Sequence, residues 1–346
     1  MIRETMKKFV CVRIPKANNL DLKLFEFDCD LTFAVFFLNA DKTIYGRYGT
    51  RTDFIYAARD MSLVGLKKSM KAVLKLHRNF AENKPMLELK KPTQVSFKKP
   101  NDYPWLKSRH IRANQCLHCH QIQNAEQRYY RGRHQTIPDD VLFRWVPPET
   151  IGIAFDPKEI ATIQSVERHT PADEAGLRAG DEILTVERQP VISMADVQWG
   201  LENMGENVSM RATMRRGDEV HHLKIPLRKG WRAKTDISWR TTTHLLRRFA
   251  WGGGRIWPLT DNEKEKLELG NHKLALKFTR NIFKRSPAYR VGFRRGDVII
   301  SYDGQTQSMT ESQLLRYAVQ KRKRGDVVSI KVLRKGVEIA IRYKME

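Results

Sequence analysis

The sequence lacks the signatures of several common classes of protein. Its 346 residues contain no run of 18 apolar residues, so no transmembrane helix is predicted. The first residues, MIRETMKKFVCVRIPK, contain no apolar core of a signal peptide. There is no GDSGG or GxSxG segment around a serine, no HExxH motif, and no Walker A or GxGxxG loop. The usual motifs of serine hydrolases, zinc metalloproteases and nucleotide-binding enzymes are therefore absent.

Acidic residues are scarce relative to basic ones. The chain has 39 Asp and Glu against 63 Lys and Arg, which gives a formal net charge of +24. Such an excess suits a nucleic acid, an anionic membrane or an acidic protein as partner. The basic residues are spread along the chain, and no helix-turn-helix, zinc-finger pair or RNP motif accompanies them. We therefore expect an acidic protein partner or surface and no nucleic acid.

Cysteine is also scarce, with four in the chain. Cys11 lies in an apolar run and is predicted to pack inside a strand, whereas Cys29 lies between two aspartates. Cys116 and Cys119 form the sequence CLHCH with His120. Cys-x-x-Cys-His is the attachment sequence of c-type haem, in which both thiols bind the haem and the histidine binds the iron.

Three interpretations of CLHCH stay open. Haem c would use Cys116, Cys119 and His120. Zinc would use the two thiols with histidines drawn from His110, His118, His120 and His134. The third interpretation is a redox dithiol or a structural disulfide.

The N-terminal region shows the order strand, loop, hairpin, helix. Residue patterns predict a strand over 9–14, a strand over 33–38 with a hairpin partner over 43–48, and an amphipathic helix over 61–77. With the phrases FVCVRI and LTFAVFFLNADKTIYGRYGTR, this order resembles the second half of a thioredoxin-like domain. The resemblance covers about residues 1–80. It implies that the redox cysteine pair and any export signal lie upstream, so it carries over the fold and not the activity.

One phrase occurs twice, 116 residues apart. TPADEAGLRAGDEIL begins at Thr170 and SPAYRVGFRRGDVII begins at Ser286, and each is followed by a predicted helix, a strand and a basic-glycine turn. Internal repetition of this kind predicts two copies of one domain. The phrase closely resembles bacterial PDZ domains, and the resemblance covers about residues 148–228 and 270–345.

The PDZ resemblance implies that an extended peptide, often a protein C-terminus, adds to a sheet edge as a further strand. The segments that match the peptide-binding strand are Ile151, Gly152, Ile153, Ala154 and Phe155 in the first copy and Leu274, Ala275, Leu276, Lys277 and Phe278 in the second. The first segment keeps a glycine in the loop that receives a carboxylate, and the second does not. A PDZ fold that only braces the chain internally is the alternative.

These observations predict an α+β multidomain protein in which a partial thioredoxin-like domain precedes two PDZ-like β-barrel/α domains. The predicted segments are the thioredoxin-like domain (1–80), a Lys/Pro-rich linker (81–109), the CxxCH segment (110–147), the first PDZ domain (148–230), a Trp/Gly-rich connector (231–268) and the second PDZ domain (269–346). The order resembles that of thioredoxin-like/PDZ-domain proteins of planctomycete-type bacteria, some of which are selenoproteins.

The resulting hypothesis is a non-proteolytic bacterial protein-binding scaffold without catalytic residues. It would bind protein C-termini or extended peptides through both PDZ units and would carry haem c, or a metal or redox centre, at CLHCH. The alternative is a thiol–disulfide oxidoreductase of thioredoxin type whose CxxC pair lies upstream or is missing. We expect an exported protein, periplasmic or associated with the envelope, with a cytoplasmic location as the alternative.

Overall fold

The computed structural model of the protein describes residues 2–51, 60–90, 97–109, 116–269 and 272–346. The chain divides into two compact units. Unit 1 consists of Met1–Cys119 and Phe143–Thr235, and unit 2 of His120–Leu142 and Asp236–Glu346. Each unit contains one copy of the repeated phrase. Within the described ranges, every helix is too short or too polar to cross a lipid bilayer.

The secondary structure is mixed. The helices are α1 (Ile2–Met6), α2 (Leu63–Arg78), α3 (Phe80–Leu87), α4 (Pro104–Ser108), α5 (His120–Gly132), α6 (Asp139–Leu142), α7 (Pro171–Glu174), α8 (Met194–Glu202), α9 (Thr243–Trp251), α10 (Asp261–Lys266), α11 (Pro287–Arg290) and α12 (Glu311–Lys321). The strands are β1 (Val35–Leu38), β2 (Ile44–Tyr48), β3 (Ile153–Phe155), β4 (Ile163–Val166), β5 (Glu182–Val186), β6 (Gln189–Pro190), β7 (Val208–Arg216), β8 (Glu219–Leu227), β9 (Ile256–Pro258), β10 (Leu276–Phe278), β11 (Val298–Tyr302), β12 (Val327–Arg334) and β13 (Val337–Lys344).

The strands of both units pair in an antiparallel manner. Unit 1 contains the hairpin β1-β2, the pair β3-β4 and a four-stranded sheet in the order β6-β5-β7-β8. Unit 2 contains one five-stranded sheet in the order β13-β12-β11-β10-β9. Alternate residues of β12 are buried, as expected for a strand with one face on the core.

The repeated phrase builds the same local structure in both units. Its first residue caps a short helix: the Thr170 hydroxyl accepts a hydrogen bond from a backbone N–H of α7, and the Ser286 hydroxyl does the same for α11. A proline follows each cap at the first helical position, where its missing N–H costs no hydrogen bond.

The aspartate of each Gly-Asp pair forms a buried ion pair that the repeat pattern alone does not reveal. Asp181 accepts hydrogen bonds from Arg216 at 2.8 Å, and Asp297 accepts them from Arg334 at 2.7 and 2.8 Å. Both carboxylates are buried. We call each pair an Asp–Arg clasp, because it joins the residue just before β5 or β11 to the last residue of β7 or β12.

The N-terminal region confirms the predicted hairpin and helix but not the first strand. The strands of the hairpin are β1 and β2, and the helix is α2. Residues 9–14 form no strand; the Val10 side chain is 94% exposed and Cys11 is also exposed. The prediction of a strand that buries Cys11 is therefore wrong, and no thioredoxin-like arrangement is shown.

Residues 81–109, predicted as a solvated linker, contain ordered structure instead. They include most of α3, a 3₁₀ turn over Pro100–Asp102, and α4. Lys90 is buried, and its ammonium group donates to the Tyr45 carbonyl oxygen at 2.7 Å. Lysine-rich composition suggested a solvated chain, but Leu106 and Tyr103 supply enough apolar surface to bury this part of the chain.

Candidate functional site

The first candidate site is the edge of β3 in unit 1, and a glycine positions it. Gly152 ends the 3₁₀ turn Pro148–Ile151 with a φ of 90°, in the left-handed region. A β-carbon at this residue would overlap the side chain of Thr170. Glycine is therefore required here both for the backbone conformation and for the close approach to the cap of α7.

The main-chain groups of β3 face both toward β4 and away from it. Glu167 N–H donates to the Gly152 carbonyl oxygen, and Asp156 N–H donates to the Thr162 carbonyl oxygen, both at 2.9 Å. Because main-chain groups alternate in direction along a strand, Ile153 and Phe155 direct theirs away from β4. Within the described ranges no strand pairs with this outer edge.

Helix α8 lies against the turn that precedes β3. The Gln198 side chain donates to the Trp145 carbonyl oxygen at 2.7 Å and accepts from the Thr50 hydroxyl at 3.1 Å. Asp196 accepts from the Arg47 backbone N–H at 3.2 Å, and its carboxylate lies 3.2 Å from the buried Lys90 ammonium. Residues of the N-terminal region thus hold α8 in place.

Glu149 is the titratable group closest in sequence to the capping glycine. Burial, with a smaller contribution from the nearby Asp60, raises the pKa of Glu149 to about 7. Its Oε2 atom is buried and accepts no hydrogen bond from the described residues. A carboxyl group of this kind binds its proton near neutral pH.

The segment predicted to bind a peptide in unit 2 lies inside the sheet. Leu276, Lys277 and Phe278 form β10, which has β9 on one side and β11 on the other. Leu274 and Ala275, immediately before it, also hydrogen-bond to other parts of unit 2. The free strand edge expected over 274–278 is therefore not present.

The hydrogen bonds around β10 show what it corresponds to. Phe278 N–H donates to Asp297, and Phe278 accepts from Gly296 N–H. In unit 1, Ile163 N–H donates to Asp181, and Ile163 accepts from Gly180 N–H. Phe278 is thus the counterpart of Ile163 in β4 and not of Phe155 in β3.

The counterpart of β3 in unit 2 is β9, which sequence reasoning placed in a connector. Gly252 ends α9 with a φ of 87°, as Gly152 ends its own turn, and β9 follows. A β-carbon at Gly252 would overlap the backbone of Ala288. The signal was in the sequence, since Gly252 opens a run of three glycines, but the distance from the repeated phrase concealed it.

The outer edge of β9 differs from that of β3. Leu259 N–H donates to Ala275, so alternation directs the groups of Ile256 and Pro258 outward. Ile256 N–H already donates to the Glu311 carboxylate at 2.9 Å, and proline has no N–H. Glu311 is buried and forms an ion pair of 2.7 Å with the buried Arg247.

The residues of the CLHCH sequence lie at the start of α5. Cys116 and His118 are exposed, Cys119 is half-buried, and His120 is the first residue of α5. His110 lies outside the described residues. His134 has a ring nitrogen 3.2 Å from the Arg324 carbonyl oxygen. In the described part of the chain no three His, Cys, Asp or Glu residues are arranged to hold a metal ion, and the haem assignment stays a prediction.

Burial shifts the pKa of two of the cysteines, Cys29 and Cys119. Burial raises the pKa of Cys29 well above its ordinary value, and the neighbouring Cys119 and Asp28 add to this effect. Burial also raises the pKa of Cys119. Because a raised pKa favours the neutral thiol, these surroundings disfavour the reactive thiolate at Cys29 and Cys119.

Comparison with known proteins confirms the two repeats. The PDZ domain family matches residues 149–227 and 267–345. No curated protein matches the chain. Among solved structures, a serine endoprotease from Yersinia pestis is 23% identical over 23% of this chain and 28% of that one, with a TM-score of 0.21. An HtrA-type protease, AlgW, described with a decapeptide, is 18% identical over 53% of each chain, with a TM-score of 0.28.

These comparisons correct the hypothesis of a non-proteolytic scaffold, which is wrong: the similar solved structures are HtrA-type and serine proteases. They give no support to a haem or redox centre at CLHCH, which stays a prediction. The likeness itself concerns the fold alone, and this chain spans about half or less of the length of those structures. What is shown is that the chain contains two PDZ domains, one in unit 1 and one in unit 2.

Proposed function

We propose that this protein recognises extended peptide segments through the PDZ domain of unit 1, by addition of the peptide as a strand to the outer edge of β3. PDZ domains in general bind peptides or C-termini. The observation that carries the proposal is the outward direction of the Ile153 and Phe155 main-chain groups on an edge that no described strand occupies.

The second PDZ domain is not proposed to bind in this way. On its corresponding edge, the Ile256 N–H already donates to Glu311, and Pro258 has no N–H. A peptide strand would gain little there, because main-chain hydrogen bonds supply much of the affinity in this binding mode. The proposal therefore assigns strand addition to unit 1.

The test begins with selection of peptides from a random library against the full chain. Each residue of a selected peptide is then N-methylated in turn, and affinity is measured by fluorescence anisotropy. Strand addition predicts that N-methylation at alternate residues weakens binding about tenfold, while the residues between them tolerate it. Uniform effects along the peptide, or no selected peptide, would contradict the proposal.

Hydrogen exchange locates the bound peptide. Binding is expected to slow exchange at the Ile153 and Phe155 amides and to leave the Ile256 amide unchanged, because Ile256 is already hydrogen-bonded. Slower exchange at the Ile256 amide alone would show that the peptide binds unit 2 and would contradict the proposal. Mass spectrometry of the same mixture shows whether the bound peptide is cut. The predicted export of the protein stays a prediction.

A further inference from the structure

Unit 2 carries a cavity that is separate from the strand edges described above. It has a volume of about 800 Å³ and opens to solvent. We call it the basic–aromatic pocket, and it is lined by Asn281, Ile282, Phe283, Lys284, Arg285, Tyr289, Arg294 and Arg295. None of these residues belongs to β9 or α12.

The charge of the pocket is of one sign. Residues 279–296 contain six Lys and Arg and no Asp or Glu. The first acidic residue after them, Asp297, is already paired with Arg334 at 2.7 Å. Lys284, Arg285 and Arg295 are exposed, so their charges face solvent without a carboxylate from their own segment.

The apolar part of the pocket is exposed and held in position. Phe283 is 80% exposed, and its carbonyl oxygen accepts from both the Ser286 backbone N–H at 2.8 Å and the Ser286 hydroxyl at 2.7 Å. The Arg294 guanidinium lies 3.9 Å from the centre of the Tyr289 ring and donates to the Tyr289 and Phe293 carbonyl oxygens. These bonds hold the backbone of Phe283 and the side chain of Arg294 in place, and a held group loses less conformational entropy when a ligand binds.

The first unit lacks this combination at the matching positions of the repeat. There Glu167 stands in place of Phe283, Asp173 in place of Tyr289, Glu174 in place of Arg290 and Ala179 in place of Arg295. Three of the four are acidic. The pocket is therefore not a general consequence of the PDZ fold but a property of the second copy.

We propose that the basic–aromatic pocket binds an acidic peptide segment that carries a large apolar side chain. The carboxylates would pair with Lys284, Arg285 and Arg295, and the apolar side chain would pack against Phe283. Ion pairs at an open surface are weak singly, so the exposed ring and the concave shape are needed to give the peptide a defined position. The excess of basic residues in this segment would then serve to bind the carboxylates of the peptide.

The test uses the full chain and fluorescein-labelled peptides of one length. The probe is a peptide of aspartate and glutamate around one leucine, and the comparison peptides replace the acids with lysine or the leucine with serine. The double variant Lys284→Glu/Arg295→Glu is expected to weaken binding of the probe by tenfold or more, about 1.4 kcal/mol or greater. Phe283→Ser is expected to weaken binding of the probe severalfold. The peptide with serine in place of leucine is expected to bind the unaltered protein as weakly as the probe binds Phe283→Ser.

The matched control is Arg168→Glu/Arg178→Glu in unit 1, which changes the net charge equally at the positions that correspond to Lys284 and Arg294. Circular dichroism melting checks that each variant folds. An equal loss in the control variant would overturn the proposal in favour of a general charge effect. Tighter binding of phosphatidylserine vesicles or of double-stranded DNA than of the probe, abolished by the same double variant, would also overturn it.

Discussion

The two PDZ domains share a phrase and a clasp but present different strand edges. In unit 1 a single glycine leads directly into β3, whose outer N–H groups belong to Ile153 and Phe155. In unit 2 the glycine run leads into β9, whose outer edge is closed by Glu311 and Pro258. The repeated phrase thus specifies the fold, while residues outside it decide which main-chain groups the sheet edge presents for pairing.

The difference also shows how an edge is closed without an added strand. One buried carboxylate, held by Arg247, accepts the hydrogen bond that a peptide carbonyl would otherwise accept. In unit 1 the residue at the start of the matching helix is Met194, which has no such acceptor. The predictions that follow alter each unit in turn, from the largest expected effect to the smallest.

The largest effect is expected for Glu311→Ala in unit 2. Removing this carboxylate leaves the buried Arg247 guanidinium without its ion pair and the Ile256 N–H without its acceptor. Breaking a buried pair on one side costs about 3–5 kcal/mol of unfolding free energy. Guanidinium denaturation measures this loss. A change below about 1 kcal/mol would contradict the assignment of a strong buried ion pair.

A smaller and equal effect is expected when either Asp–Arg clasp is broken. Asp181 and Asp297 are both buried and both bonded to an arginine that is partly exposed. Burial opposes ionisation of Asp181, but hydrogen bonds from Arg216 and from the Arg178 backbone outweigh it and lower its pKa. Asp181→Asn and Asp297→Asn should each destabilise by about 2–3 kcal/mol.

Denaturant unfolding of the two clasp variants measures the loss of unfolding free energy in each. Equal losses would confirm that the clasp is a shared element of the fold. Losses that differ by more than about 1.4 kcal/mol, a tenfold difference in the equilibrium constant, would show that the two copies depend on it differently. The exposed pair Arg211–Glu187 in unit 1 offers a control, since its removal should cost under about 1 kcal/mol.

The smallest effect is the pH-dependent loss of stability expected from Glu149, which lies in the turn before the capping glycine of unit 1. Glu149 precedes Gly152 by three residues, whereas the buried Phe249 holds that place before Gly252. A carboxyl group whose folded pKa is raised to about 7 destabilises the fold as it ionises, so stability should fall as pH rises from about 4.5 to above 7.

Glu149→Gln removes that pH dependence. The variant should be more stable than the unaltered protein by about 2 kcal/mol above the folded pKa, after allowance for the partial exposure of the residue. The gain should vanish below about pH 4.5, where Glu149 is protonated and neutral in both the folded and the unfolded protein. Thermal melts across this range provide the measurement, and a gain independent of pH would contradict the assignment.

The sequence predicted the repeats, the N-terminal hairpin and α2 because each depends on local patterns. Caps, glycines and apolar spacing act over a few residues and leave a readable trace. The predicted strand over 9–14 failed for a different reason. Strand formation requires a partner strand and a face to bury, and Val10, Val12 and Ile14 have neither in the fold.

The peptide-binding strand of unit 2 could not be located from the repeat. In unit 1 a short loop joins β3 to β4, whereas in unit 2 α10 lies between β9 and β10. This insertion moves the edge strand away from the phrase and leaves the interior strand in its expected place. Composition does not separate the two, since an interior strand and a peptide-binding strand are both apolar. Only the hydrogen-bond partners of Phe278 identify it.

Pro258 has a consequence for how copies of the protein meet. A sheet that ends in a strand with free N–H groups is a template on which another copy of the same strand can pair, and such pairing leads to aggregation. Pro258 removes one donor from the end of the five-stranded sheet, and Glu311 occupies its neighbour. We therefore expect Pro258 and Glu311 to hinder pairing of another copy of the chain at this edge of the sheet, in the same way as they hinder addition of a peptide to β9.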